Sequence, residues 1–141
     1  MKEIVLLSCV SQKKNNKDKA KHLYISTLFV KSLKYAETKL NPDKIFILSA
    51  KHGLLEADQE IEPYDETLND KNKSKRMEWA AKVLQQIKNK CDIQSDKFII
   101  LAGKKYYENL IKDLPKYEIV MENLPIGKRL QWLTEALSKK E

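Results

Sequence analysis

Residues 98–105 read Phe98-Ile99-Ile100-Leu101-Ala102-Gly103-Lys104-Lys105, a continuous apolar run that breaks at a glycine and turns at once to lysine. Residues 4–8, Ile4-Val5-Leu6-Leu7-Ser8, and residues 45–49, Ile45-Phe46-Ile47-Leu48-Ser49, have the same form: four apolar residues closed by a small polar one. A strand with one wet face alternates apolar and polar residues, whereas a strand covered on both faces is apolar throughout, as in a parallel sheet. A fourth, weaker strand is expected at Glu118–Met121.

Between these runs the periodicity changes to that of helices. Leu23, Phe29, Leu33, Ala36 and Leu40 fall mostly three or four residues apart, predicting a helix over 20–40 that Asn41-Pro42-Asp43 stops. Met77, Ala80, Leu84, Ile87 and Cys91 mark a second helical stripe over 74–91 and assign Cys91 to the core. Residues 104–113 and 127–139 supply two more helices, the last with Leu130, Leu133 and Leu137 inward. The expectation is one α/β domain over 1–141, three-layered, with a mostly parallel four-stranded sheet and helices on both faces. Residues 52–72 form the long connection without strong periodicity. At roughly 20 residues it exceeds the usual length of structureless connections, which points to function or to short extra structure.

The chain has 141 residues, a net charge of +7, 42% hydrophobic residues, three glycines and two cysteines. This composition excludes a disordered or low-complexity chain and a disulfide framework. No apolar run approaches the roughly 20 residues of a membrane span. The apolar start is too short for a signal peptide, so a cytoplasmic protein without a membrane role is expected. Neither Cys9 nor Cys91 has the neighbours of a zinc site, and no metal or cofactor is expected. The charge is uneven. Residues 56–70 hold seven acids and no lysine or arginine, so the loop carries −7 and the other 126 residues +14. A basic body is the footprint of a nucleic-acid or nucleotide partner, equally that of an ordinary lysine-rich surface.

Ligands of parallel α/β sheets bind beyond the carboxyl ends of the strands. Gly53, Gly103 and Gly127 each follow a predicted strand, all therefore on that edge, where glycine permits positive φ or close backbone approach. Gly103 with Lys104, opening a helix, suits an anion on free amides. Ser8 and Cys9 end the first strand, with Lys13 in the lysine-rich turn beyond. Cys9 could act as a nucleophile with His52 as base, or serve as a small buried residue. Ser8 or Ser49 with His52 and Asp58 or Asp65 lacks the nucleophile-elbow motif of a hydrolase triad. There is no Walker or dinucleotide-binding motif. In the acidic loop, Asp58, Glu62 and Asp65 are candidates for general acid/base work or for gripping the amine edge of a base. Tyr64, held after Pro63, could stack on one. The plainer alternative is a solvated loop.

The stretch Leu48-Ser49-Ala50-Lys51-His52-Gly53-Leu54-Leu55, followed by Asp58, Ile61, Pro63-Tyr64 and Leu68, resembles the LSxxYGxLxxxDxIxPY motif of the peroxide-stress YaaA family. Ser8-Cys9 with Lys13, and Leu23-Tyr24-Ile25-Ser26, resemble elements of the archaeosine synthase core domain. The whole chain is similar to a family of small bacterial and phage domains of unknown function, through elements at 8–9, 20–29, 48–68, 101–106 and 126–133. The wider resemblance implies a uracil-DNA-glycosylase-like fold and a link to nucleic acids. It implies a pocket of Ser8, Cys9, Lys13, Tyr24, Ser26, Ser49, Lys51, Gly53, Asp58, Pro63 and Tyr64. His52 stands where those proteins commonly have Tyr, and Asp65 replaces an Arg after the PY pair. The chain is too short for the helical insert with which the larger proteins contact DNA.

The resulting expectation is recognition of a nucleobase, nucleotide or nucleic acid, with action on the base or its glycosidic bond as its catalytic form. In it Asp58 or Asp65 is the acid/base group, Tyr64 the stacking surface, and Lys13 and Lys51 the phosphate contacts. The alternatives are a non-catalytic nucleic-acid-binding module and, more weakly, a Cys9-based hydrolase or transferase.

Overall fold

A computed structural model describes residues 1–8 and 13–139. Cys9 therefore lies outside the described residues. The central strand is β1 (Glu3–Ser8), in which Ile4, Val5, Leu6 and Leu7 are all fully buried. Burying each such side chain contributes about 1.5–3 kcal/mol, and burial of four in succession requires cover on both faces of the strand. β1 pairs in parallel with β3 (Lys44–Ser49) on one side and β6 (Lys97–Leu101) on the other, with Val5 opposite both Ile45 and Ile99. β7 (Tyr117–Ile119) extends the sheet in parallel beyond β6. The chain crosses from β1 to β3 in one direction and from β3 to β6 in the other. Right-handed crossovers then place the intervening helices on opposite faces.

Among the described residues the sheet has five strands rather than the four expected. β4 (Gly53–Glu56) folds back antiparallel on β3, Gly53 opposite Ser49 and Glu56 opposite Phe46, giving the order β4-β3-β1-β6-β7. Four residues inside an otherwise irregular stretch carry too little pattern to announce a strand. Leu54 and Leu55 are nevertheless both buried. The rest of the 52–72 connection also holds short structure. β5 (Glu60–Ile61) pairs antiparallel with β2 (Asp18–Lys19), and Leu68–Asp70 form a 3₁₀ turn.

The helix predicted over 20–40 is broken. α1 (Ala20–Leu23) ends at Tyr24, which is extended, and α2 (Thr27–Tyr35) begins afresh with Ser26 Oγ accepting the Phe29 amide at 3.2 Å. A wider π turn, Ala36–Leu40, closes on Asn41 in the left-handed region before Pro42. α3 (Lys73–Lys90) matches the expected span with its buried face rotated. Trp79, Ala80, Val83 and Ile87 are inside, Leu84 and Cys91 are half-buried, and Met77 is 48% exposed. The expected 104–113 helix shrinks to α4 (Lys104–Tyr107) and a 3₁₀ turn at Ile111–Asp113. α5 (Ile126–Ser138) buries Leu133 fully, with Leu130 and Leu137 half-buried. α5 packs on α2, with Trp132 edge-on to Tyr35, while α3 packs on β4 and touches α4. Among the described residues no helix is long and apolar enough to cross a membrane.

Candidate functional site

The parallel strands β1, β3 and β6 end together at Ser8, Ser49 and Leu101, and the chain turns there. Ser49 is fully buried, and each of its polar groups has a use. Its carbonyl accepts the Trp79 indole N–H at 2.8 Å, and its Oγ accepts the His52 amide at 3.0 Å. The Ser49 hydroxyl donates to Tyr64 Oη at 2.7 Å, and Tyr64 Oη lies 2.6 Å from Tyr24 Oη. Three hydroxyls thus form one chain from the end of β3 to the junction between α1 and α2. The break in the 20–40 helix creates this arrangement, because extended backbone at Tyr24 pairs with Lys13 in a one-residue bridge. That pairing brings the Lys13 ammonium 4.4 Å from the Tyr64 ring centroid and 5.7 Å from that of Tyr24, within cation–π range. His52 packs edge-on against Tyr64, ring centroids 5.3 Å apart. Burial, then the charges of Lys51 and Lys82, hold the His52 imidazole below the ordinary histidine range against a smaller opposing effect of Glu66. The ring is accordingly neutral at neutral pH.

The turn that presents His52 is built for glycine. Gly53 has φ +77°, and a Cβ there would lie 2.3 Å from Gln86 Oε1. Gln86, on α3, accepts the Leu54 amide at 2.9 Å and donates to the His52 carbonyl at 3.3 Å, closing the turn from both sides. The other two glycines differ. Gly103 has ordinary backbone (φ −70°), and its N–H is directed to Ser8 Oγ at 3.4 Å. Gly127 is exposed, with open space around it. Of the three, only Gly53 occupies a conformation that requires glycine. Gly103 precedes the four-residue α4, and Lys104, which opens it, is exposed.

The candidate acids are dispersed. Since β4 runs antiparallel to β3, residues after Glu56 lie at the amino end of the sheet, and Asp58 is there beside Asp43 and Lys44. Its carboxylate is paired with Lys21 Nζ at 2.9 Å, and that hydrogen bond and charge hold it below the usual carboxylate range. Asp58 thus lies at the end of the sheet opposite Ser49 and Tyr64. Glu56 and Glu66 are also tied to lysines, Lys90 at 3.6 Å and Lys71 at 3.5 Å. Glu62, Asp65 and Lys51 are exposed. The acidic loop is thus stitched to the basic body rather than gathered at one point. Ser26 serves as the cap of α2, and among the described residues no group of three or more His, Cys, Asp or Glu could hold a metal ion.

Three residues absent from the sequence reading help hold the site. Trp79 and Gln86 stand seven apart on α3, two turns along one face, a spacing visible in the sequence once the helix is rotated to bury Trp79. Tyr106 packs edge-on against Trp79 and accepts the Leu68 amide at 3.3 Å, fixing the far end of the loop that carries Tyr64.

A family model described as a family of unknown function, DUF6884, matches residues 4–135. The chain belongs to this family. No curated protein matches it. The matched span runs from β1 into α5, so the hydroxyl chain of Ser49, Tyr64 and Tyr24 and the Gly53–Gln86 turn lie wholly inside the family region.

Proposed function

We propose that the protein binds a ligand bearing a nucleobase, a nucleotide or a stretch of nucleic acid, at the carboxyl edge of its sheet. The observation that carries this reading is Tyr64, whose hydroxyl is held between Ser49 and Tyr24 while the Lys13 ammonium sits 4.4 Å from its ring. A ring with its hydroxyl anchored loses little further freedom when a base stacks on it, and an adjacent ammonium favours an anionic ligand. Three further points support the reading. The parallel strands order as second, first, third, fourth, which puts the topological switch, where such sheets take ligands, between β1 and β6. The body outside the acidic loop carries +14. The 48–68 motif resembles that of the YaaA proteins, and Ser8 with Lys13 and Leu23–Ser26 resemble elements of the archaeosine synthase core, whose fold is of the uracil-DNA-glycosylase type; this support is by analogy.

Binding without turnover is favoured over catalysis on the base or its glycosidic bond. Glycoside hydrolysis ordinarily uses a carboxyl group beside the bound sugar, and Asp58 is at the other end of the sheet. Asp65, the residue after Tyr64, is the acid for which a catalytic role is retained. The test is titration with single-stranded DNA, RNA and mononucleotides at about 50 and 200 mM salt. Tyr64→Ala is expected to weaken binding by about 1–3 kcal/mol per stacked base with an unchanged salt slope. Lys13→Ala is expected to lower the slope by about one. Absence of binding, or binding that both variants leave intact, overturns the proposal. Product formation that Asp65→Asn abolishes would replace binding by catalysis.

A further inference from the structure

Of the 27 basic residues only two, Arg76 and Arg129, are arginines, and both are half-buried. A guanidinium keeps its charge and carries five donors, so such a position asks for an acceptor of matching charge. Arg76 has one, with Nε 3.7 Å from Glu108 Oε1 and Nη1 donating to the Lys71 carbonyl at 2.6 Å. Arg129 Nε donates to the Leu124 carbonyl at 2.7 Å, and among the described residues no carboxylate pairs with it.

Arg129 instead lines a partly open cavity of about 30 Å³ at the carboxyl ends of β1 and β6, beneath α2 and α5. Its walls include Phe29 and Met121, and it also receives Ser8 and Ser32. Ser32 is only 6% exposed, and its hydroxyl, which has no hydrogen bond among the described residues, is not sealed from solvent. A hydroxyl beside a cavity that keeps its donor and acceptor uncommitted can meet a polar group entering there. Met121 holds φ +62°, a left-handed conformation rare for a bulky side chain and concentrated at functional sites. The first turn of α5 contains no acid, so the positive end of that helix adds to the field of Arg129. One water needs roughly 10–15 Å³; the cavity admits one small group and excludes a base.

We propose that this cavity binds a phosphate group, gripped by Arg129 and Ser32 with Ser8 at its rim. Resting on the reading above, the phosphate is that of the nucleotide whose base lies against Tyr64. The two places lie on either side of one buried pair: Tyr24 reaches Tyr64 through its hydroxyl and packs its ring on Phe29, centroids 5.0 Å apart, and Phe29 lines the cavity. The ends of β3 and β6, which flank β1, lie roughly 10 Å apart, the span of a mononucleotide.

The experiment is calorimetric titration at low salt with three probes: inorganic phosphate, adenosine 5′-monophosphate and adenosine. Phosphate and the monophosphate are expected to bind. Arg129→Met weakens both about tenfold or more and leaves adenosine unchanged. Arg129→Lys falls between, and Ser32→Ala, which removes only that hydroxyl, weakens phosphate several-fold. Circular dichroism and melting establish folding. If Arg129→Met does not fold, Arg129→Lys and Ser32→Ala decide. Phosphate that fails to bind, or that binds alike to wild type and variants, overturns the inference. Adenosine bound without phosphate does so while leaving the base site standing. Phosphate bound without adenosine overturns the base site and leaves this one.

Discussion

The two ends of the sheet hold charge and polarity in different ways. At the amino end, Asp58 and Lys21 form an ion pair whose carboxylate side chain is 71% exposed, next to Asp43 and Lys44 in an open groove. At the carboxyl end, Ser49, Tyr64 and Tyr24 share one chain of hydroxyls, of which Ser49 and Tyr24 are buried, with His52 and Lys13 against the rings. The same connection, residues 53–68, visits both ends, running down β4 and returning through β5. Charge in solvent is screened and adds little to stability, whereas a buried polar group without its partner is expensive. The acids that dominate this loop in the sequence are therefore its least committed residues, and two uncharged tyrosines and a serine are its most committed.

The sharpest way to break this contrast is Gly53→Ala. The positive φ and the approach of the new Cβ to Gln86 are expected to cost about 2–4 kcal/mol in urea unfolding. Adding Gln86→Ala should recover only the part due to the clash. A neutral Gly53→Ala would mean that the turn is not the constraint described. Next in size, Tyr64→Phe should lose about 1–2 kcal/mol by leaving the Ser49 hydroxyl without its acceptor.

Smaller still is an effect of pH. The folded state lowers the His52 value, so the unfolded chain binds more protons just below the ordinary histidine value of 6.5. The His52 contribution is thus complete above that value and is lost as pH falls through the lowered one. Melting at about pH 7 and pH 5 should show a drop that His52→Gln reduces. The smallest effect is expected at the other end of the sheet. Asp58→Asn should leave the melting midpoint unchanged, because its pair with Lys21 is solvent-exposed. A loss comparable to that of Tyr64→Phe would erase the distinction between the two edges.

How much was legible in the sequence follows from the range of the interactions involved. β1, β3 and β6 were readable because burial on both faces leaves an unbroken apolar run, and α3 because eighteen residues give several turns of periodicity. β4 was not, since four residues carry little pattern and its pairing with β3 is a tertiary fact. The rotation of α3 was missed for a related reason. Met77 and Trp79 both suit a buried stripe by hydrophobicity, and the choice of Trp79 goes with an acceptor for its indole, the Ser49 carbonyl, thirty residues away. Tyr64, Ser49, Lys13 and Gly53 were singled out as candidates, but their mutual arrangement depends on Tyr24 interrupting a stretch whose periodicity reads as one helix.

The sequence by itself determined an α/β chain with a mostly parallel sheet, an edge where glycines and small polar residues follow the strands, and a lysine-rich body around an acidic loop. These are local or compositional properties, written in periods of two and 3.6 and in counts of charge. Only the tertiary structure decided which loop residues meet. It sent Asp58 to the amino end because β4 reverses direction, brought Tyr64 back to Ser49, and enclosed Ser32 and Arg129 in one cavity from helices far apart in the chain. Such meetings depend on direction and packing, for which a linear pattern carries no signal.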